Sequence, residues 1–266
     1  MVKDKLYIHD IMFSHAYSSS WYNKPELFEW VRKYDEDYLI LTDFSLHLVN
    51  NFNNKYKYAW LLESPEITSF AYDYIKQNYN KFDKIFTFSE NLLKLSDKFI
   101  FIPFGGCWIL GEDKCVHLKS KELSIILSSK KSTIGHKLRH QIIKKYPQID
   151  SYGFNNPIEN KIIALKDYRF SIIVENCKEN HYFTEKLIDC FITGTIPIYW
   201  GCPSIGNFFD INGLLIFDTL EELDVIIDSL NEELYIEKLM SIKNNFNNAK
   251  KYIMADNFIY EKIKQQ

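Results

Sequence analysis

The stretch that decides the fold is YRFSIIVENCKENHYFTEKLIDCFITGTIPIYWGCPSIGNFF, residues 168–209. It reads as strand, loop, helix, strand and loop. RFSIIV is a largely apolar run of strand length, and TIPIYWG is a second that ends on a glycine, where a ligand can approach the backbone closely. Between them Thr184 stands at an N-cap position, Leu187, Ile188, Phe191 and Ile192 make an apolar helix side, and Gly194 ends the helix. Glu175, Asn176, Tyr182, Thr184, Glu185 and Lys186 crowd the loop and the helix start. A helix start offers unpaired N–H groups and a partial positive charge, so this layout suits an anion and a sugar at the edge of a parallel sheet. Lys186 in the first turn has the wrong sign for the helix dipole, and it makes sense there beside an anion. Taken alone, it also fits an exposed surface lysine next to an ordinary first-turn acid.

The same alternation extends in both directions. Toward the N-terminus, strands are expected over residues 6–13, 38–43, 56–63, 82–88 and 99–104. Helices are expected over 25–34, with Pro25 in its first turn, over 67–79, and over 89–96 with Ser89 as N-cap. Residues 105–122 hold two glycines and then a polar, charged stretch, which reads as a linker. The pattern restarts with strand 123–128, helix 135–146 and strand 149–152. Strands 170–174, 195–200 and 213–217 follow, with helix 184–193 between the first two. Helix 219–230 opens with a capping box, Thr219 followed by Glu222, and a further helix leads to an amphipathic segment over 249–264. Strands alternating with helices of this length predict an α/β chain built on parallel, doubly wound sheets, with chemistry at the carboxyl ends of the strands. The domain reading is residues 1–105, a linker 106–122, a second domain 123–248, and a C-terminal helix 249–266 that crosses back to the first domain.

Composition narrows the class. The chain has 266 residues, enough for two domains each with a core, and its 46% hydrophobic and 25% charged content is ordinary for a globular protein. A net charge of −3 gives no general reason to expect nucleic acid as a partner. The five cysteines have no CxxC spacing, which is the usage of a reducing compartment, and Cys190 falls on the apolar side of a helix as a small core residue. Cys107, Cys115 and His117 lack the fourth partner of a zinc site. The opening MVKDKLYIHD lacks the apolar core of a signal peptide, and no run approaches membrane-spanning length. The expectation is a cytoplasmic chain with no integral membrane segment.

Here a resemblance becomes specific. FSIIVEN, YFTEK and GTIPIYWG resemble, in order and spacing, the donor motif of the α-1,3-fucosyltransferases of glycosyltransferase family 10: F-x-x-x-F-E-N, then Y-x-T-E-K, then G-T-[IV]-P-[IV]-Y-x-G. KYAWLLESPEI (57–67) resembles the family's strand ending in E-S-P, and FIPFGG (101–106) its turn before the linker. LSSKKSTIGHKLRHQIIKKYPQIDSYGF (127–154) resembles the segment in which a basic residue precedes a helix and a D-x-x-G element. The likeness covers most of residues 57–217, and the first fifty residues have no match.

The resemblance implies a GT-B-like fold, two Rossmann-like parallel-sheet domains facing a cleft. It also implies inverting, metal-independent transfer of fucose from GDP-fucose to a glycan acceptor, with no cofactor beyond the nucleotide sugar. By motif position Glu185 would bond the ribose or the sugar, Lys186 and Arg139 would neutralise the diphosphate, and Asn176 and Tyr182 would line the donor pocket beside Glu175 and Thr184. The register near Arg139 has slack, with His136 and Lys137 close by. Glu63, at the end of an apolar strand and matching the E-S-P glutamate, is the candidate base; Glu66 is the alternative. A plain reading of Glu63 also exists, a strand-end glutamate before a Ser-Pro helix start. The same scaffold also suits another nucleotide sugar, or a sugar- or nucleotide-binding module without turnover.

Other tempting residues carry less. Asp35-Glu36-Asp37 is literally D-x-D but sits in a turn before a strand, where a solvated acidic turn is the simpler reading. His9, Asp10 and His15 near the first strand fit no metal spacing, and acceptor contact is a weak reading of them. Lys130, Lys131 and Lys137 also suit a solvated basic face, and Trp21, Tyr22, Trp30 and Trp108 suit core or rim.

Overall fold

The structure is a computed structural model that describes residues 3–11, 16–32 and 37–265. His15, Asp35 and Glu36, and the ends of the strand expected over 6–13 and the helix expected over 25–34, lie outside the described residues. The chain divides into two compact units. One comprises Met1–Gly106, Asn180–Tyr182 and Met254–Gln266; the other comprises Cys107–Glu179 and Phe183–Ile253.

The first unit is built on a six-stranded sheet: β1 (Asp4–His9), β2 (Phe28–Val31), β3 (Tyr38–Thr42), β4 (Tyr56–Trp60), β5 (Lys84–Thr87) and β6 (Phe99–Phe101). Every pairing is parallel and the spatial order is β2-β1-β3-β4-β5-β6. Side chains alternate across the sheet with period two, and both faces are buried. Leu6, Ile8, Ile40, Tyr58 and Trp60 enter one apolar cluster, while Tyr7, Leu39, Leu41 and Ala59 enter another. Helix α1 (Pro65–Asn78) sends Ala71, Tyr72 and Ile75 into the second cluster. Helix α2 is a single turn, Glu90–Leu93, shorter than the expected 89–96.

One expected element is wrong. Residues 25–34 do not begin a helix at Pro25, because Phe28–Val31 is the strand β2, paired in parallel with β1. Phe28 and Trp30 are buried and Glu29 is exposed, which is a period of two. Two aromatics and a β-branched residue in four positions favour the pleated conformation, and they outweigh a lone proline start signal. A 3₁₀ helix over Asp43–Asn51 was not foreseen.

The second unit carries β7 (Lys121–Leu127), β8 (Asp150–Gly153), β9 (Tyr168–Val174), β10 (Ile196–Trp200) and β11 (Leu215–Ile216), in the order β11-β10-β9-β7-β8 and again wholly parallel. Helices α3 (Ile134–Lys145) and α4 (Glu185–Ile192) follow β7 and β9. Helices α5 (Leu220–Ser229), α6 (Glu232–Glu237) and α7 (Leu239–Ala249) complete the unit. The Thr219–Glu222 capping box forms as read, with Glu222 N–H donating to Thr219 Oγ1 at 3.2 Å. Strand order reverses between β7 and β9, and at such a switch point the connections diverge and leave a crevice at the carboxyl edge. Glu175 and Asn176 lie directly beyond β9 at that edge.

The last helix, α8 (Ala255–Lys264), belongs to the first unit. Ala255, Ile259 and Ile263 enter the cluster of Leu6 and Trp60, and the Tyr260 ring stacks on Phe28 at 5.1 Å. No helix among the described residues is long and apolar enough to cross a membrane.

Candidate functional site

The second unit's site is organised by Glu175, whose side chain is fully buried. Its Oε1 accepts the Thr184 backbone N–H at 2.8 Å and its Oε2 accepts the Thr184 hydroxyl at 2.8 Å. That two-point grip fixes the N-cap of α4. The Thr184 hydroxyl in turn accepts the Lys186 N–H at 3.4 Å and the Lys186 ammonium at 2.9 Å. On its other side the Glu175–Asn176 backbone meets α3, where Gly135 N–H donates to Asn176 O at 3.0 Å. A Cβ on Gly135 would lie 1.7 Å from Glu175 O, so only glycine lets the helix come this close. Two helix amino ends therefore flank one loop.

Charge follows the same convergence. Arg139, four residues after Gly135 and buried, donates from Nη2 to Asn176 Oδ1 at 2.8 Å. Lys186 Nζ lies 3.4 Å from Glu175 Oε2 and 3.4 Å from Glu185 Oε1. The anion that rationalises a lysine in this first turn is thus at least in part the chain's own pair of glutamates. Burial alone would push the Glu185 carboxyl up, but the Lys186 and Lys161 charges outweigh it and bring it down to about 2. His136, at the third position of α3, is held near pKa 4 by burial and then by the charges of Arg139, Lys130, Lys186 and His140.

Sequence comparison matches residues 116–231 to glycosyltransferase family 10 (fucosyltransferase), C-terminal part. The chain is 34% identical over 97 residues to the α-(1,3)-fucosyltransferase FucT of Helicobacter pylori, a segment that takes in 36% of this chain. It resembles crystal structures of an α1,3-fucosyltransferase with GDP-fucose and with GDP at TM-scores of 0.56 and 0.55. Identity in these is 17% and 18%, covering 96% and 94% of this chain and 91% of each of those chains. Residues 116–231 carry the family 10 segment. The matched segment spans 19% of the length of the Helicobacter pylori protein, and 18% of that of an Arabidopsis thaliana relative. The two all-parallel sheets and their flanking helices are the GT-B-like α/β fold of the family structures.

The remaining site residues fall as follows. Tyr182 is buried and groups with the first unit, its ring 4.9 Å from that of Phe88. Glu63 lies three residues past the end of β4, just before α1, in a loop held by Asp43. Asp43 Oδ2 accepts Leu62 N–H at 3.0 Å and Oδ1 accepts Glu63 N–H at 3.4 Å, with the Thr68 hydroxyl at 3.2 Å. The Tyr72 hydroxyl donates to Glu63 O at 2.9 Å. Glu66 is in the first turn of α1. At the switch point of this sheet, between β1 and β3, Ser45 Oγ donates to His9 O at 2.6 Å, and Asp10 pairs with Arg32 at 3.5 Å. Trp30 is a core residue.

Sequence reading passed over Asp43, Lys161 and Asp189. Glu185 and Asp189 stand four apart on one helix and so share a face, and two buried acids so placed call for a cation between them. That cation is Lys161, which nothing in its own local sequence marks. Cys115 Sγ lies 3.6 Å from His117 Nε2, whereas Cys107 is buried with Sγ toward Ile109 O at 3.7 Å. Among the described residues no group of three or more His, Cys, Asp or Glu is placed to hold a metal ion.

Proposed function

We propose that this protein transfers fucose from GDP-fucose to a hydroxyl of a glycan acceptor, with inversion at the anomeric carbon. The observation that carries the reading is the meeting of two helix amino ends, Arg139 and Lys186 on the Glu175–Asn176 loop at a switch point. Such a place receives a diphosphate, and the names of the related proteins supply the sugar and the nucleotide.

In one displacement the acceptor oxygen attacks the anomeric carbon while the bond from that carbon to the diphosphate oxygen breaks. GDP leaves with the bonding electron pair, and the acceptor proton passes to the Glu63 carboxylate. Lys186 and Arg139 meet the charge that grows on the departing diphosphate, in a partly dry setting where such contacts are strongest. Loss of one contact of this kind typically costs about 3 kcal/mol of barrier. With fixed cations in that role, the reading requires no divalent ion, and turnover is expected to survive EDTA.

The decisive experiment is a donor screen by mass spectrometry, scoring nucleotide release with and without fucose-accepting oligosaccharides. Acceptor-dependent release of GDP from GDP-fucose supports the proposal. Release from a different nucleotide sugar reassigns the donor, release without acceptor makes it a hydrolase, and binding without release makes it a module lacking turnover.

A further inference from the structure

Lys161 opens a 3₁₀ turn, Lys161–Ala164, whose start is capped by the Asn160 side chain on Ile162 N–H at 3.1 Å. Its ammonium lies 3.0 Å from Asp189 Oδ2 and 3.2 Å from Glu185 Oε1, and 3.9 Å from the centroid of the Trp108 ring. The other Asp189 oxygen, Oδ1, accepts Trp108 N–H at 2.6 Å and Ile109 N–H at 3.3 Å. Two acids and an aromatic face enclose this cation, and 15% of its side chain is exposed.

Lys186 is placed differently. It reaches the same Glu185 Oε1, but at 3.4 Å, and divides itself between that oxygen, Glu175 Oε2 and the Thr184 hydroxyl. One carboxylate oxygen thus has two ammonium neighbours, one locked in place and one shared among three groups. Were Lys186 the sole partner of Glu185, moving it toward a ligand would strand a buried carboxylate, which costs several kcal/mol. With Lys161 in place, Glu185 keeps a counter-charge whatever Lys186 does.

We propose that Lys161 is a positioning residue of the donor site: it fixes Glu185 as an ionised, immobile carboxylate and so frees Lys186 to pair with an anionic diphosphate. This deepens the donor-site reading above and rests on it. The charged groups that face Glu185 are Lys161 from the 3₁₀ turn, Lys186 and Asp189 from its own helix, and, through Lys186, Glu175 from the end of β9. The depressed Glu185 carboxyl agrees with two cations outweighing its burial.

The test compares Lys161→Met, which keeps the length and apolar stem, with Lys161→Arg, which keeps the charge. Two quantities are read: the titration of the Glu185 carboxyl by carbon-detected NMR without nucleotide, assigned through Glu185→Gln, and GDP affinity by calorimetry. Lys161→Met should raise the Glu185 titration by more than one pH unit and weaken GDP at least tenfold. Lys161→Arg should restore both, GDP to within about threefold. In the Glu185→Gln background, adding Lys161→Met should cost GDP affinity less than twofold. An unmoved Glu185 titration, or a tenfold loss that persists without Glu185, overturns the assignment and leaves Lys161 as a brace for the Trp108–Ile109 backbone. If Lys161→Met does not fold, the same pair of readings on Lys161→Met with Asp189→Asn decides, since that variant removes an acid together with the lysine. Failure of the wild-type protein to bind GDP would sink the donor reading instead, and the carboxyl titration would still decide the role of Lys161.

Discussion

The buried carboxylate of Asp43 holds the backbone of Glu63, its Oδ1 accepting the Glu63 N–H at 3.4 Å while Oδ2 accepts that of Leu62 at 3.0 Å. Burial, with the Glu63 charge adding to it and the bonds from Leu62, Glu63 and Thr68 opposing it, raises the Asp43 carboxyl to about 7. The sign follows directly. Between its ordinary value near 3.8 and about 7 the folded chain holds a proton that the unfolded chain has lost, so this group's contribution to stability declines as pH rises through that window. Asp43→Asn should therefore flatten the decline. It should also cost about 1–2 kcal/mol at low pH, where one oxygen is replaced by an amide that cannot accept. Denaturant titrations at pH 4.5 and 7.5 check both; an unchanged pH slope would return Asp43 to a passive role.

Glu63 itself gives a sharper test of chemistry. Glu63→Gln keeps the backbone bonds to Asp43 and Tyr72 and replaces the carboxylate proposed as base with a group of like shape that does not take the proton. Transfer should fall by about 10²–10⁴, the usual worth of a general base, with GDP affinity changed less than twofold. Normal turnover in the variant removes Glu63 from the reaction and moves attention to Glu66.

The second-unit site was largely legible in the sequence and the first-unit site was not, for a physical reason. Residues 168–209 are contiguous, so strand, cap and helix place Glu175, Thr184, Glu185 and Lys186 by local rules alone. The grip of Glu175 on Thr184 needs only nine residues of separation. Arg139 on Asn176 and Lys161 on Asp189 join positions 37 and 28 apart, and their pairing is set by sheet order, which no local period encodes. The missed strand β2 has the same origin. Phe28–Val31 is short enough to fit either period, and its pairing with β1 decides the matter. Motif position assigns Glu175 and Asn176 to the donor pocket; the Glu175 side chain is fully buried and holds the helix start, a role that motif position does not reveal.

His136 predicts an acid-side instability. It closes a reciprocal cap on α3: its N–H donates to Thr133 Oγ1 at 3.1 Å and its Nδ1 accepts the Thr133 N–H at 3.3 Å, which only an unprotonated Nδ1 can do. The folded value near 4 lies below the ordinary 6.5, so between them the unfolded chain binds a proton that the folded chain does not. Stability from this group is complete above pH 6.5 and is lost as pH falls toward 4, by about 2 kcal/mol after allowance for solvent screening. His136→Gln keeps a side-chain acceptor at the cap and should remove that part of the acid slope, measured by thermal melts between pH 4 and 7.

Gly135→Ala probes the junction between α3 and the Glu175–Asn176 loop. The added Cβ would sit 1.7 Å from Glu175 O and 2.9 Å from Asn176 O, both backbone atoms that cannot swing aside. Overpacking of this kind costs about 1–3 kcal/mol, and loss of the Gly135–Asn176 bond adds about 1 kcal/mol. Because Arg139 is anchored on Asn176, the displacement should also weaken GDP binding by about tenfold or more. Calorimetry against GDP and a melt measured side by side separate the two effects.

Asp256→Asn tests how the chain's last helix is fastened to the first unit. This buried carboxylate accepts the Trp30 Nε1–H at 2.6 Å, the Ser19 hydroxyl at 2.5 Å and the Ser19 N–H at 3.2 Å. All three bonds point into the aspartate: Oδ1 takes both N–H groups and Oδ2 takes the Ser19 hydroxyl. In the amide Oδ1 can keep both N–H bonds while Nδ2 donates to the Ser19 hydroxyl, which turns to accept, so what is lost is the strength that the carboxylate charge lends these bonds. The expected loss is about 1 kcal/mol, and a Trp30-sensitive fluorescence transition should move to lower denaturant while the protected amides of β9 and β10 in the second unit keep their exchange rates. Asp256→Leu, which takes the side-chain acceptor away from Trp30 and Ser19, should cost more, about 2–3 kcal/mol. A leucine variant as stable as the wild type would mean that α8 is held by its apolar contacts, Ala255, Ile259 and Ile263 among them.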